Sequence, residues 1–334
     1  MERYAITLAD SLVKLGCRVV FHAHKTDREL AQSLGVETAL LKVPKFPRKL
    51  RDFRYFRQVD RRLSETEGPQ IALSRVRVRD MVICGGTHRG YLARARKWSG
   101  PLDWLQIWME TEAYRSARTV VSHSDLCTEE LTNLYSISPG KIVTLYPPVD
   151  ERFLPKSDPQ LRAESRRQLG LPIDKPLFLF PSMGHSRKGL KPICEALKGL
   201  SEPFLLAVAG KPAGNLKHPF VHSLGYIEDM AVAYRAADFT ILGSYYEPFG
   251  LVGPESILCG TRLVFEQDIG CLAAIKPEFA LTFSVWDRES IRQAVSQAIA
   301  LAQRGEHRIS HPLEALRFNP SAEAHARVLL ARAT

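Results

Sequence analysis

The stretch Phe239 to Gly260 constrains this chain more than any other. A short apolar run, Phe239 to Leu242, enters the tight loop Gly-Ser-Tyr-Tyr-Glu-Pro-Phe-Gly at 243–250, and a short helical pattern follows and stops at Gly260. Strand, loop and helix start in that order are how α/β folds hold an anion. The free N–H groups and the dipole at the helix start both face negative charge. Two carboxylates, Glu247 and Glu255, stand eight residues apart in this frame. Glu255 falls in the first helical turn, placed to accept hydrogen bonds from a diol such as a ribose. Glu247 falls on the loop, placed to meet whatever follows the phosphates. The alternative is that both glutamates are solvated caps of an ordinary helix.

The surrounding half of the chain repeats the strand–helix alternation. Leu177 to Pro181 reads as a strand, Ser182 to Gly189 as its loop and Leu190 to Leu197 as a helix. The loop has Gly184-x4-Gly189 but lacks the Lys-Ser/Thr that a P-loop places after its second glycine. Phe204 to Ala209 is a continuous apolar run, as in a central parallel strand. Arg262 to Phe265 and Ala280 to Phe283 read as later strands, and Asp287 caps a helix whose core face is Ile291, Ala294, Val295, Ala298 and Ile299.

The run Glu-Pro-Phe-Gly-Leu-Val at 247–252, the second glutamate Glu255 and Cys-Gly-Thr at 259–261 resemble the Glu-x7-Glu signature of the retaining glycosyltransferases of family 4. The resemblance implies an α/β GT-B fold, with two Rossmann-like domains facing a central cleft. It implies transfer of a hexose-type sugar from a nucleotide diphosphate sugar, a UDP- or GDP-sugar, to a glycan or lipid-linked acceptor such as lipopolysaccharide or capsule. Lys188, with Arg187 and Gly184, matches the family's Arg-Lys-Gly loop for the donor diphosphate, aided by Gly250, Leu251 and Val252. Glu247, Phe249 and Gly250 would hold the donor sugar, Glu255 the ribose, and Tyr226 or Ile227, after Leu224-Gly225, the base. His88, which follows Cys-Gly-Gly-Thr at 84–87, matches a family position that orients the donor sugar; Asp80 is a weaker match. A histidine after a strand is also often structural. The sequence has no Asp-x-Asp pair to hold a metal ion, so no cofactor and no metal is expected. The alternative function is a GT-B-shaped binding or scaffold protein impaired in catalysis.

The same resemblance divides the chain into 1–155 and 156–315, with a last helix at 316–334 crossing back to the first domain. Tyr4, Ala5, Leu8, Leu12 and Leu15 share a helical face that stops at Gly16, and Arg18 to Ala23 reads as a strand. A domain of this kind opens with a strand and a glycine-rich loop before that helix. The expectation is therefore a first domain that begins one strand late.

The formal net charge is +10, most of it in residues 1–150, which suits an anionic partner. Residues 42–62 are the most basic segment, with Phe46, Phe53, Tyr55 and Phe56 interleaved. They read either as a patch for the anionic inner leaflet of a membrane or as a solvated helix face with core aromatics. The pattern also occurs in nucleic-acid binders, but no nucleic-acid partner is expected. Trp98, Trp104, Trp108 and Tyr114 read as helical packing. The six cysteines are scattered and read as reduced thiols. No apolar run approaches the roughly 20 residues of a membrane span. The expected location is cytoplasmic, peripheral on the cytosolic membrane face.

Overall fold

The computed structural model describes residues 2–44, 50–63, 66–156, 160–214 and 218–333. Lys45, Phe46, Arg48 and Lys49 of the basic segment lie outside the described residues. The chain forms two compact units, residues 1–148 with 319–334, and residues 149–318. The boundary expected near 155 lies instead at the Pro147-Pro148 pair. Residues 149–155 belong to the second unit because Phe153 is buried there, with its ring 5.7 Å from that of Tyr234 and its carbonyl bonded by the Cys259 thiol.

The first unit runs α1 (Glu2–Lys14), β1 (Val20–Ala23), α2 (Arg28–Ser33), β2 (Glu37–Leu40), α3 (Arg51–Leu63), β3 (Ile71–Ala72), β4 (Met81–Cys84), α4 (His88–Arg94), α5 (Pro101–Ser116), β5 (Thr119–Ser122), α6 (Asp125–Tyr135) and β6 (Ile142–Thr144). β3, β4, β5 and β6 form a parallel sheet in that order, while β1 pairs with β2 in a separate one. The alternation of strand side chains decides what covers each face. Met81 and Ile83 of β4 pack with Tyr4 and Leu8 of α1. Val82 and Cys84 pack on the other face with Phe56 of α3, Met109 of α5 and Leu131 of α6.

The second unit runs α7 (Leu161–Gln168), β7 (Leu177–Ser182), α8 (His185–Lys188), α9 (Leu190–Leu197), β8 (Leu205–Gly210), β9 (Val221–Gly225), α10 (Met230–Ala236), β10 (Phe239–Leu242), α11 (Val252–Leu258), β11 (Arg262–Glu266), β12 (Ala280–Phe283) and α12 (Arg288–Gln303). Its strands form one parallel sheet in the order β12-β11-β10-β7-β8-β9. All residues of β7 and β10 are buried, as expected of strands covered on both faces. From β7 the chain winds outward through β8 and β9, then returns to start again at β10. The strand order therefore reverses between β7 and β10, where α/β sheets bind ligands at the carboxyl ends of their strands.

The last helix, α13 (Ala322–Ala333), packs on the first unit through Ala326 and Leu329. Its His325 donates from Nδ1 to the Tyr146 carbonyl (3.1 Å), and its Nε2 lies 2.8 Å from the Tyr4 hydroxyl, which a neutral imidazole accepts. His123 lies against both rings, and its Nε2 has no hydrogen-bond partner among the described residues. Burial pushes His325 down to about 4 and His123 down to about 3. An unfolded histidine protonates near pH 6.5. Because both folded values are depressed, their stabilising contribution is complete above about pH 6.5 and is lost as pH falls toward 4. At pH 5 each histidine is expected to cost the first unit about 2 kcal/mol. Urea melts of the wild type and of His123→Phe with His325→Gln at pH 7.5 and 5 should show this slope shrinking in the variant. An unchanged slope would refute the assignment.

Candidate functional site

The loops that leave β7 and β10 are joined along their backbones. Gly243 N donates to the Lys188 carbonyl (3.1 Å), and Tyr245 N donates to the Arg187 carbonyl (3.2 Å). Glycine is required at the crossing. Gly189 has φ +77°, and a Cβ there would stand 2.2 Å from the Gly243 carbonyl oxygen. This seam places the two cations beside the first glutamate. Arg187 Nη1 donates to the Tyr246 carbonyl (3.1 Å) and to Glu247 Oε2 (3.3 Å), which also accepts from the Ser244 hydroxyl (3.3 Å). Lys188 Nζ donates to the Pro181 carbonyl (3.1 Å). Burial holds the Lys188 pKa below the usual lysine value, and the nearby Glu247 charge opposes that shift. A partly desolvated ammonium acts on an incoming anion with less screening than a surface one.

The Glu247 loop is held from its far side as well. Gly270 N donates to the Glu247 carbonyl (3.1 Å) and Cys271 N to the Phe249 carbonyl (2.7 Å). Gly250 adopts φ +87° as the chain turns into α11, and a Cβ on Gly253 would strike the Cys271 sulfur at 2.4 Å. Leu251 and Val252 begin the helix, and no N-cap side chain bonds back to it. Glu255 is buried, and its Oε2 accepts from the Tyr234 hydroxyl (2.9 Å). Of the expected diphosphate contacts, the Gly184 amide already donates to the Ser182 hydroxyl (3.1 Å). Tyr226 and Ile227 follow β9 on the same edge of the sheet, and the Tyr226 side chain is 77% exposed. Tyr234, Ser244 and the Gly270-Cys271 turn were not legible as site residues. Tyr234 and the Gly270-Cys271 turn meet their partners only through the fold, whereas Ser244 stands three residues before Glu247 in the same loop.

The first unit places the other candidates differently. His88 is the first residue of α4, and its Nε2 is bonded to Asp103 Oδ1 (2.7 Å). The glycines before it do not expose the start of α4 to a ligand. His88 N donates to Glu110 (2.9 Å), Arg89 N to the Tyr135 hydroxyl (3.2 Å), and Gly90 N to the Thr87 hydroxyl (3.0 Å). Asp80 lies at the amino end of β4, away from its carboxyl edge, and accepts from Gln70 N (3.0 Å).

The family model for Glycosyltransferase Family 4 matches residues 1–153, and that for Glycosyl transferases group 1 matches residues 162–309. A probable transglycosylase of Burkholderia thailandensis is 37% identical over 99% of this chain and 92% of its own length. The chain belongs to glycosyltransferase family 4. A D-inositol 3-phosphate glycosyltransferase of Xylanimonas cellulosilytica is 32% identical over 46% of the chain and 42% of its own length. WaaG, a glycosyltransferase involved in lipopolysaccharide biosynthesis, superposes with a TM-score of 0.77 at 18% identity, covering 99% of this chain and 93% of WaaG. Anabaena HepE in complex with UDP and glucose gives 0.66 at 14% identity over 99% and 93%. The fold is GT-B, and the enzyme is a glycosyltransferase.

Proposed function

We propose that this family 4 enzyme transfers a hexose-type sugar from a nucleotide diphosphate sugar to a glycan or lipid-linked acceptor of the cell surface, with retention and without a metal ion. The observation that carries the proposal is the seam that sets Arg187 and Lys188 beside Glu247 where the strand order reverses. Lys188 and Arg187, with the backbone of Gly250 to Val252, meet the departing diphosphate, and Gly184 joins them if its amide leaves the Ser182 hydroxyl. Fixed charge there does what a bound cation does elsewhere: it stabilises the charge that develops on the leaving group. Glu255, oriented by Tyr234, takes the ribose hydroxyls. Glu247, Phe249 and Gly250 take the sugar, and Tyr226 and Ile227 the base. His88, with its imidazole set by Asp103, is assigned to orienting the donor sugar. In transfer, the acceptor oxygen bonds to the anomeric carbon on the face that the phosphate leaves. The anomeric carbon–phosphate oxygen bond breaks, and the acceptor proton passes to the diphosphate.

The UDP and UDP-glucose complexes of HepE support a UDP-sugar donor. WaaG and the lipopolysaccharide outer core galactosyltransferase WaaB support a lipopolysaccharide-type acceptor. Such an acceptor would place the work at the cytosolic face of a membrane. A thermal-shift screen with UDP-, GDP- and ADP-sugars, followed by donor hydrolysis with and without EDTA, tests the reading. A UDP-sugar at saturation should raise Tm by several degrees, with hydrolysis that EDTA leaves intact. No shift with any donor would overturn the donor assignment, and loss of hydrolysis in EDTA would overturn metal independence.

A further inference from the structure

The two aromatic segments of the first unit differ in what they bury, and the basic one follows the reading of a solvated helix face with core aromatics. In the described part of the basic segment the aromatics turn inward: Phe56 is buried, and Phe53 and Tyr55 pack against the core. The tryptophans expected to pack turn outward. Trp98 is 98% exposed, Trp104 60% and Trp108 41%. The core face of α5 is Ile107, Met109, Glu110, Ala113 and Tyr114. Trp104 and Trp108, four residues apart, occupy the opposite face.

Three exposed indoles fall within about ten residues of chain, two of them on one face of α5, a density beyond single scattered exposure. The backbone leading to the first of them is strained. Arg96 adopts φ +50°, a region that side chains other than glycine rarely enter; Lys97 after it donates from Nζ to the Tyr91 hydroxyl (2.6 Å), and Trp98 is left exposed. Cations stand on the segments next to the indoles, while the acidic residues of α5 are paired: Asp103 with His88, Glu110 with Arg75 and Glu112 with Arg77. Arg96 and Lys97 are exposed next to Trp98 in the chain. At the other end of the run the Trp108 ring lies 5.3 Å from Phe56 and 6.2 Å from Phe53 of α3. The same helix carries Arg51, Arg54, Arg57, Arg61 and Arg62 against Asp52 and Asp60.

We propose that the face of Trp98, Trp104 and Trp108 docks on an anionic lipid surface, with the indoles at headgroup depth and the arginines of α3 and the Arg96-Lys97 turn on the lipid phosphates. Charge decides the occupant. A protein interface of this kind would be depleted of charge at its core, whereas tryptophan bordered by arginine and lysine is the composition of a membrane–water interface. The proposal takes its biological sense from the lipid-linked acceptor proposed above, but its test needs no turnover.

The protein has four tryptophans, so Trp286→Phe leaves indole emission only from the patch. Phosphatidylglycerol-containing vesicles should shift that emission to the blue and sediment the protein, high salt should release it, and pure phosphatidylcholine should do neither. Replacing Trp98, Trp104 and Trp108 with Ala should weaken sedimentation about tenfold or more while donor hydrolysis continues. Absence of a blue shift in Trp286→Phe would overturn the proposal whether or not the triple variant folds. So would undiminished sedimentation of the triple variant, or a dimer in light scattering that the triple variant abolishes, which would make the patch an interface between copies. Vesicle binding by a wild-type protein that hydrolyses no donor would instead count against the transferase reading and leave this proposal standing.

Discussion

Lys188→Ala is expected to lower kcat for sugar transfer or donor hydrolysis by about 10²–10³-fold, the loss of roughly 3 kcal/mol of leaving-group stabilisation. The ammonium is positioned by the Pro181 carbonyl and by the seam between the β7 and β10 loops, so little reorganisation is needed when negative charge grows on the diphosphate. Arg187→Ala should cost less, because its exposed guanidinium is screened by solvent. The split between kcat and KM is the deciding measurement. A cation that acts on the transition state lowers kcat, whereas one that only binds donor raises KM. Near-normal kcat in Lys188→Ala would remove it from the leaving-group role.

The largest stability effect lies at the opposite edge of the same sheet. Asp238, just before β10, is buried and accepts from Arg166 Nη2 (2.7 Å) and Leu177 N (2.8 Å) on Oδ2, and from Arg162 Nε (2.8 Å) on Oδ1, with His307 Nε2 3.3 Å from Oδ1. Arg166 is fully buried and also donates to the carbonyls of Ala236, Pro172, Ile173 and Lys175, fastening α7 to the start of β7. Burial already lowers the Arg166 pKa, and the Asp238 charge opposes that shift. Asp238→Asn keeps the shape but leaves the guanidinium without its counter-charge. A loss of about 3–5 kcal/mol is expected in urea unfolding of the second unit. The double variant with Arg166→Met should recover part of it, because the uncompensated charge is gone. A loss below about 1 kcal/mol would show that the pair is not the fastening.

The alternation of strands and helices in the second half was legible because its central strands are continuous apolar runs, and β7, β8, β10, β11 and β12 lie within a residue or so of their expected places. The first half was read less well. α5 carries apolar residues around most of its circumference, so its periodicity does not say which side faces the core. Glu110, buried against Arg75 and the start of α4, decides that side. The glycines at 85 and 86 suggested an open backbone cradle, but the amides at the start of α4 are taken by Glu110, Tyr135 and Thr87, the first two of which are distant in sequence.

Local order was therefore sufficient to locate the cations Arg187 and Lys188, the glutamates eight residues apart, and the strand–loop–helix step that carries them. All of these follow from spacing, turn chemistry and a backbone that requires glycine. The junction of the two loops at Gly189 and Gly243, the support of Glu255 by Tyr234, and the outward turn of three tryptophans required the tertiary structure. Each depends on residues brought together by strand order and helix packing, and a contact between elements distant along the chain leaves no periodicity in either one.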